Sequence, residues 1–314
     1  MTYPRSHLVS AENNGVYHVF SRCVRRAWLC GVDQSTGQDF THRREWIEQR
    51  VLALTDIFSI CVYAYAVMSN HYHLVLKVEP NGSASLADDE IADRWLKLCP
   101  GRRASNKTID SLSVHKAALL SDPERLTELR ARLSSLSWFM RFINEPLARL
   151  ANKEDQCTGR FWEGRFRSQA LLDEASVLAS MVYVDLNPIR AGIANDIEES
   201  EFTSLLHRLS HLSQDESVVA INGEAKSIPF EPMELTEYIS LVRWSSKLQL
   251  SQIEDPPPNV HRCLGSNHTN ADSWFRYHLP KPNRWQSAIG SIDALRSHAA
   301  ALGQRWIKRR SWCA

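Results

Sequence analysis

The spacing of apolar positions changes period several times along the 314 residues, and each change predicts an element. Residues 16–24 (VYHVFSRCV) have the β-branched and aromatic content of a strand. Residues 43–58 then bring Trp46, Ile47, Val51, Leu54 and Phe58 to one side at helical spacing. Residues 60–68 (ICVYAYAVM) alternate as a strand, Ser69 and Asn70 make a short break, and residues 71–78 read as the next strand, so the two should pair as a hairpin.

From 80 to about 125 the pattern dissolves into EPNGSASLADDE, CPGRRASNK and a Ser/Asp-rich stretch, which reads as a variable insertion or mobile loop with a short helix over 88–98 and no assigned chemistry. Residues 126–150 carry Leu129, Leu133, Leu136, Phe139, Met140, Ile143 and Leu147 at spacings of three and four, an amphipathic helix expected to be interrupted near Pro146. A turn in GRFWEGRFRSQALL (159–172) leads into a strand, and a helix follows from about 175 to 187.

Strand, helix, strand, strand, helix, strand, helix is the βαββαβ order of a ferredoxin-like sandwich with an added terminal helix. The expected class is therefore α+β, an antiparallel sheet with helices on one face. Residues 1–199 form this domain, and 200–314 a mainly helical accessory region. That region holds EDPPPNV as a linker and a tryptophan-rich end (Trp274, Trp285, Trp306, Trp312) that serves either DNA binding or packing.

Charge changes this picture only locally. With 37 Lys and Arg against 36 Asp and Glu, the net charge of +1 gives no global pull on a polyanion, so any nucleic-acid surface must come from clustering. One cluster is C-terminal: Arg276, Lys281, Arg284, Arg296, Arg305, Lys308, Arg309 and Arg310 face only Asp293. The 7 cysteines are odd in number and contain no C-x-x-C pair, and no secretory leader or long apolar span is evident. The expectation is a cytoplasmic, soluble protein with reduced thiols and no structural zinc.

The chemistry-bearing residues lie in three places. His71 and His73, two apart on a strand, project to one side of the sheet while Tyr72 projects to the other, so two neutral imidazoles can share a divalent ion. An H-x-H pair alone is more often a pair of hydrogen-bonded sheet residues, and with no carboxylate between His73 and Glu79 a further ligand must come from elsewhere. In MVYVDLNPIRAG (181–192), Tyr183 and Asn187 share a helical face. They could supply a nucleophilic phenol and an amide ligand, or simply a half-buried tyrosine and a helix-ending Asn before Pro188. Arg160, Arg165 and Arg167 flank Phe161, Trp162 and Phe166. That interleaving suits phosphate contact with base stacking, but equally suits a strand with aromatics inward and arginines in solvent. Arg190 lies beside Tyr183 in sequence and completes the basic set.

Four segments, GVYHVFSR, YAVMSNHYHLVLK, GRFWEGRFRS and YVDLNPIRAGI, occur in this order between about 14 and 193. On them the chain resembles the single-tyrosine HUH transposases, and more closely the REP-associated tyrosine transposases of bacterial genomes. The resemblance implies that His71 and His73 are ligands of Mg²⁺ or Mn²⁺, that Tyr183 is the nucleophile that becomes linked to a DNA 5′-phosphate, and that Asn187 takes the place of a third metal ligand, where related insertion-sequence enzymes have Gln. DNA contacts would fall to Arg160, Trp162, Arg165, Arg167 and Arg190. The implied activity is a metal-dependent single-stranded DNA endonuclease and strand transferase acting on hairpin-forming, REP-like palindromes, as a monomer or a homodimer. A catalytically silent hairpin-binding protein and a His-metal hydrolase are the alternatives, the latter having no use for Tyr183.

Overall fold

The structure, a computed structural model, describes residues 15–24, 29–33, 36–98, 109–211, 218, 233–249, 255–266, 271–274, 286–305 and 309–311. β1 (Gly15–Arg22) leads to α1 (His42–Thr55), the hairpin β2 (Ile60–Val67) and β3 (His71–Val78), and three helices, α2 (Asp88–Leu98), α3 (Ile109–Leu120) and α4 (Pro123–Leu133). The long α5 (Leu136–Glu154), β4 (Arg167–Leu171) and α6 (Glu174–Asp185) complete the expected βαββαβα order. Beyond them lie α7 (Asn187–Arg190), α8 (Ser204–His211), α9 (Leu235–Gln249), α10 (Pro258–Ser266), α11 (Ala271–Ser273), β5 (Ala288–Gly290), α12 (Ile292–Ala301) and β6 (Arg309–Ser311).

The sheet order is β2-β3-β1-β4-β5-β6, and its first four strands are antiparallel neighbours. This is the α+β ferredoxin-like arrangement that the element order predicts, with β5 and β6 added in parallel beyond β4. Strand alternation splits the core in two. Tyr17, Val19, Tyr72, Leu74 and Leu76 pack against α1 and α5 on one face, the two helices of the sandwich proper. Val16, Val75 and Leu171 pack against α6, α9 and α10 on the other. β2 is apolar throughout because it is buried on both faces, and a bulge between Val62 and Ala64 exchanges which residues point where.

The helix expected over 126–150 is two helices. Its break falls at Ser134 and Ser135 and not at Pro146, which sits inside α5. A proline removes the helical donor to the carbonyl four residues back; here that carbonyl, of Phe142, accepts from Arg50 Nε of α1 at 2.9 Å. The stretch read as an insertion or mobile loop is largely helical. α2 buries Ile91, Ala92, Trp95 and Leu98, and Lys116 of α3 reaches Asp89 and Asp93 of α2. Residues 99–108 lie outside the described set.

β2 is an edge strand, and residues after 199 cover it. Val67 N–H donates to Phe202 O at 3.0 Å, Tyr65 N–H to Ser204 Oγ at 3.1 Å, and Arg208 to Tyr63 O. The wholly buried Asp185, at the end of α6, accepts from Ser204 Oγ (2.5 Å), Leu205 N–H (3.0 Å) and Tyr238 Oη (2.6 Å). The accessory region thus shares one core with the sheet. Trp274 is buried there and donates to Ser245 Oγ; Trp285, Trp306 and Trp312 fall outside the described residues. Among the described residues, no helix is long and apolar enough to cross a membrane.

Candidate active site

The site is built where β1, β3 and α6 meet. Cross-strand register sets Arg22 opposite His71 and Phe20 opposite His73, while on β4 Gln169 is opposite His18 and Arg167 opposite Phe20. His18, Phe20, Arg22, His71, His73, Arg167 and Gln169 therefore share the α6 face.

α6 begins at a capping box in which Asp173 accepts from Ser176 N–H at 2.9 Å and Ser176 Oγ reaches back to Asp173. The same carboxylate accepts from Ser291 N–H at 2.7 Å, tying the helix to β5. From this anchored start, α6 carries Tyr183 over the histidines. The phenol ring lies 5.8 Å from that of His73 and 5.7 Å from that of His18, both edge to face, and the His71 and His73 rings are 4.8 Å apart. The histidine pair and the tyrosine, widely separated in sequence, thus meet within one chain.

Pro188 does not end the helical path. It occupies the first turn of α7, where a missing N–H costs nothing, and Gly192 closes the segment at φ +67°, in the left-handed region that favours glycine. Arg190 returns over Tyr183, its guanidinium carbon 4.6 Å from the ring centroid. Asn187 is 7% exposed and donates from Nδ2 to Tyr183 O at 3.1 Å. That bond, back to the carbonyl four residues earlier, occupies its nitrogen and not Oδ1.

Burial dominates the titration of the site. It lowers His71 to about 4, with the positive charge of Arg22 adding to the effect, and lowers His18 to about 4. His73 falls well below its ordinary value, from burial first and then from His71, His18, Arg22 and Arg190. All three imidazoles are neutral at pH 7, the form that can bind a cation. Tyr183 is raised by burial, with Arg190 and then Arg22 pulling it back. Its hydroxyl makes no hydrogen bond to a described residue.

One feature fits a divalent ion. Each histidine of the pair has Nδ1 engaged, His71 with Asn70 Oδ1 and His73 with His18 Nε2, so the two Nε2 atoms are left on the same face. No group of three or more His, Cys, Asp or Glu suited to a metal exists among the described residues. An ion here would keep most of its charge and demand an anionic ligand from outside.

Of the basic and aromatic segment, Arg160, Arg165 and Arg167 are exposed, and Arg167 lies 5.7 Å from the Phe20 ring. Trp162 is spent in the core: it is 9% exposed, and its Nε1 donates to Asn144 O at 2.8 Å. Its expected place as a base-stacking platform is corrected accordingly, because the ring packs edge to face against Tyr72 on the α5 side of the sheet. The segment before β4 is irregular, with the adjacent Phe161 and Trp162 both buried and the arginines in solvent.

Sequence reasoning missed His18, Gln169 and Arg22. A histidine inside the apolar VYHVF run was the available signal for the first.

No family model matches the sequence, and no curated protein matches it. Among solved structures the chain is similar to a REP-associated tyrosine transposase bound to a REP hairpin, at a TM-score of 0.37 and 10% identity, over 74% of this chain and 100% of that one.

Proposed function

We propose that the chain is a metal-dependent single-stranded DNA nicking and strand-transfer enzyme, acting on hairpin-forming DNA through a 5′-phosphotyrosine. The observation that supports this reading is that the Tyr183 ring lies 5.8 Å from that of His73, which is itself 4.8 Å from that of His71.

In this reading Nε2 of His71 and of His73 hold Mg²⁺ or Mn²⁺, with Oδ1 of Asn187 as a third ligand. The ion supplies Lewis-acid polarisation of the scissile phosphate. Two imidazoles and an amide bring no negative charge, so the DNA phosphate provides it.

The Tyr183 oxygen then attacks phosphorus in line. The Oη–P bond forms as the P–O3′ bond breaks, the phenol proton passes to solvent, and the leaving strand ends as a 3′-hydroxyl. The number of phosphodiester-level bonds is unchanged, so attack by the same or another 3′-hydroxyl reverses the step without ATP.

Burial holds the phenol protonated at rest, and Arg190 and Arg22 favour its anion as charge develops. Arg160, Arg165 and Arg167 offer exposed cations for the flanking backbone. In this reading the tyrosine and the histidines it acts with come from one chain, which supports a monomer as the cleaving unit.

The test is a hairpin-flanked single-stranded oligonucleotide with Mn²⁺, resolved on a denaturing gel. Wild type should give a covalent protein–DNA band, and Tyr183→Phe none at all; a band that survives in Tyr183→Phe removes the assignment. A wild type that retards the hairpin in a native gel yet never forms the covalent band would be a binding protein.

A further inference from the structure

His18 is a buried polar residue to which the proposed chemistry gives no task. It stands in the centre of β1 at 1% exposure, and its Nε2 lies 2.8 Å from Nδ1 of His73, the rings stacked at 5.0 Å. One proton sits in that hydrogen bond, and either ring could own it. Which one does decides whether His73 has a lone pair or a hydrogen on Nε2.

The strand on the other side of β1 resolves the ambiguity. Gln169 of β4 is the register partner of His18, and its Nε2 donates to Gln286 O at 2.9 Å. An amide turned to donate to that carbonyl carries the acceptor Oε1 on its other branch. Gln169 Oε1 and His18 Nδ1 are both cut off from solvent, and the two are complementary only if His18 carries its proton on Nδ1. His18 Nε2 is then an acceptor, and His73 must donate from Nδ1.

We propose that His18 is a positioning residue: through a relay from Gln286 O by way of Gln169 and His18, it holds His73 as the tautomer protonated on Nδ1, with a bare lone pair on Nε2. The relay starts in the segment leading into β5, so residues beyond the sandwich orient a histidine at its centre. The consequence for cation binding rests on the functional reading above; the tautomer itself does not.

The experiment is long-range ¹H–¹⁵N NMR on full-length, metal-free chain labelled at histidine, with His73→Gln used to assign the signals. In wild type His73 should be protonated at Nδ1 and unprotonated at Nε2. His18→Phe removes the acceptor and should shift His73 toward the Nε2-protonated form, whereas His18→Gln, whose side-chain oxygen can accept in the same place, should restore the wild-type pattern. Mn²⁺ affinity, read by electron paramagnetic resonance, should fall about tenfold to a hundredfold in His18→Phe and less in His18→Gln.

A wild-type His73 found protonated on Nε2 overturns the inference, and so does a His73 pattern unmoved in a folded His18→Phe. Should His18→Phe fail to fold, the wild-type and His18→Gln patterns still decide. If wild-type His73 has the expected tautomer and Mn²⁺ does not bind, the positioning role stands and the metal-dependent reading falls.

Discussion

The two faces of the central sheet are made by alternate residues of the same strands, yet they are built on opposite principles. Toward α1 and α5, Tyr17, Val19, Tyr72, Leu74 and Leu76 meet Ile47, Val51, Leu54, Phe139, Met140 and Ile143 in a continuous apolar layer. Toward α6 the layer is divided. Near the start of the helix, Val16, Leu171, Val177 and Ile289 pack conventionally; near its end His18, His73, Gln169, Asp185 and Asn187 are buried with their polar atoms. Burying such groups costs stability unless every one finds a partner. The difference teaches that the α1/α5 face carries the stability margin that lets the other face hold neutral imidazoles beside a protonated phenol.

The largest effect expected of any change that breaks this division is on stability. Phe139 is fully buried and sits edge to face against Phe58 at 5.4 Å, so Phe139→Ala should cost about 3–5 kcal/mol in urea unfolding. Tyr183→Phe, on the other face, loses no hydrogen bond to a described residue and should stay within about 0.5 kcal/mol of wild type, although it abolishes the covalent adduct. A Tyr183→Phe variant as unstable as Phe139→Ala would erase the contrast.

A smaller effect should follow from acid. His18 is lowered to about 4, chiefly by burial, against about 6.5 in an unfolded chain. Because its folded value is depressed, the unfolded chain binds more protons between these two values. The corresponding stability is fully present above pH 6.5 and is lost as pH falls toward 4. At pH 5 the loss from His18 alone is about 2 kcal/mol, and His71, lowered likewise, adds to it. Comparing thermal midpoints at pH 7.5 and pH 5 checks this; a midpoint that stays put would mean that the histidine face is not the acid-sensitive one.

What the sequence made legible was local. The helical and strand periods gave the βαββαβ order, the hairpin around Ser69–Asn70 and the common face of His71 and His73, because each depends on residues a few positions apart. The relation of His18 to His73 was not legible, since it joins residues 55 apart in sequence and is fixed only by strand register. Trp162 illustrates a different limit: it lies in an irregular segment before β4, where no period says which side chains turn inward, and the adjacent Phe161 and Trp162 are both buried. Asp185 did leave a signal, an acid at the end of the apolar run from 181 to 184, which implies buried partners; their identity, Ser204, Leu205 and Tyr238, depends on how the chain returns.

The smallest effect concerns one polar contact on the apolar face. Pro146 leaves the Phe142 carbonyl without a helical donor, and Arg50 supplies one from α1 at 2.9 Å. Arg50→Met should therefore cost about 1 kcal/mol, the net worth of one hydrogen bond, beyond whatever else the side chain contributes. Pro146→Ala returns a backbone N–H to the same carbonyl and makes Arg50 redundant there. In a double-mutant cycle by urea unfolding, Arg50→Met should cost less in the Pro146→Ala background than in wild type, by about 1 kcal/mol of coupling. Strict additivity would mean that the Phe142 carbonyl is satisfied some other way.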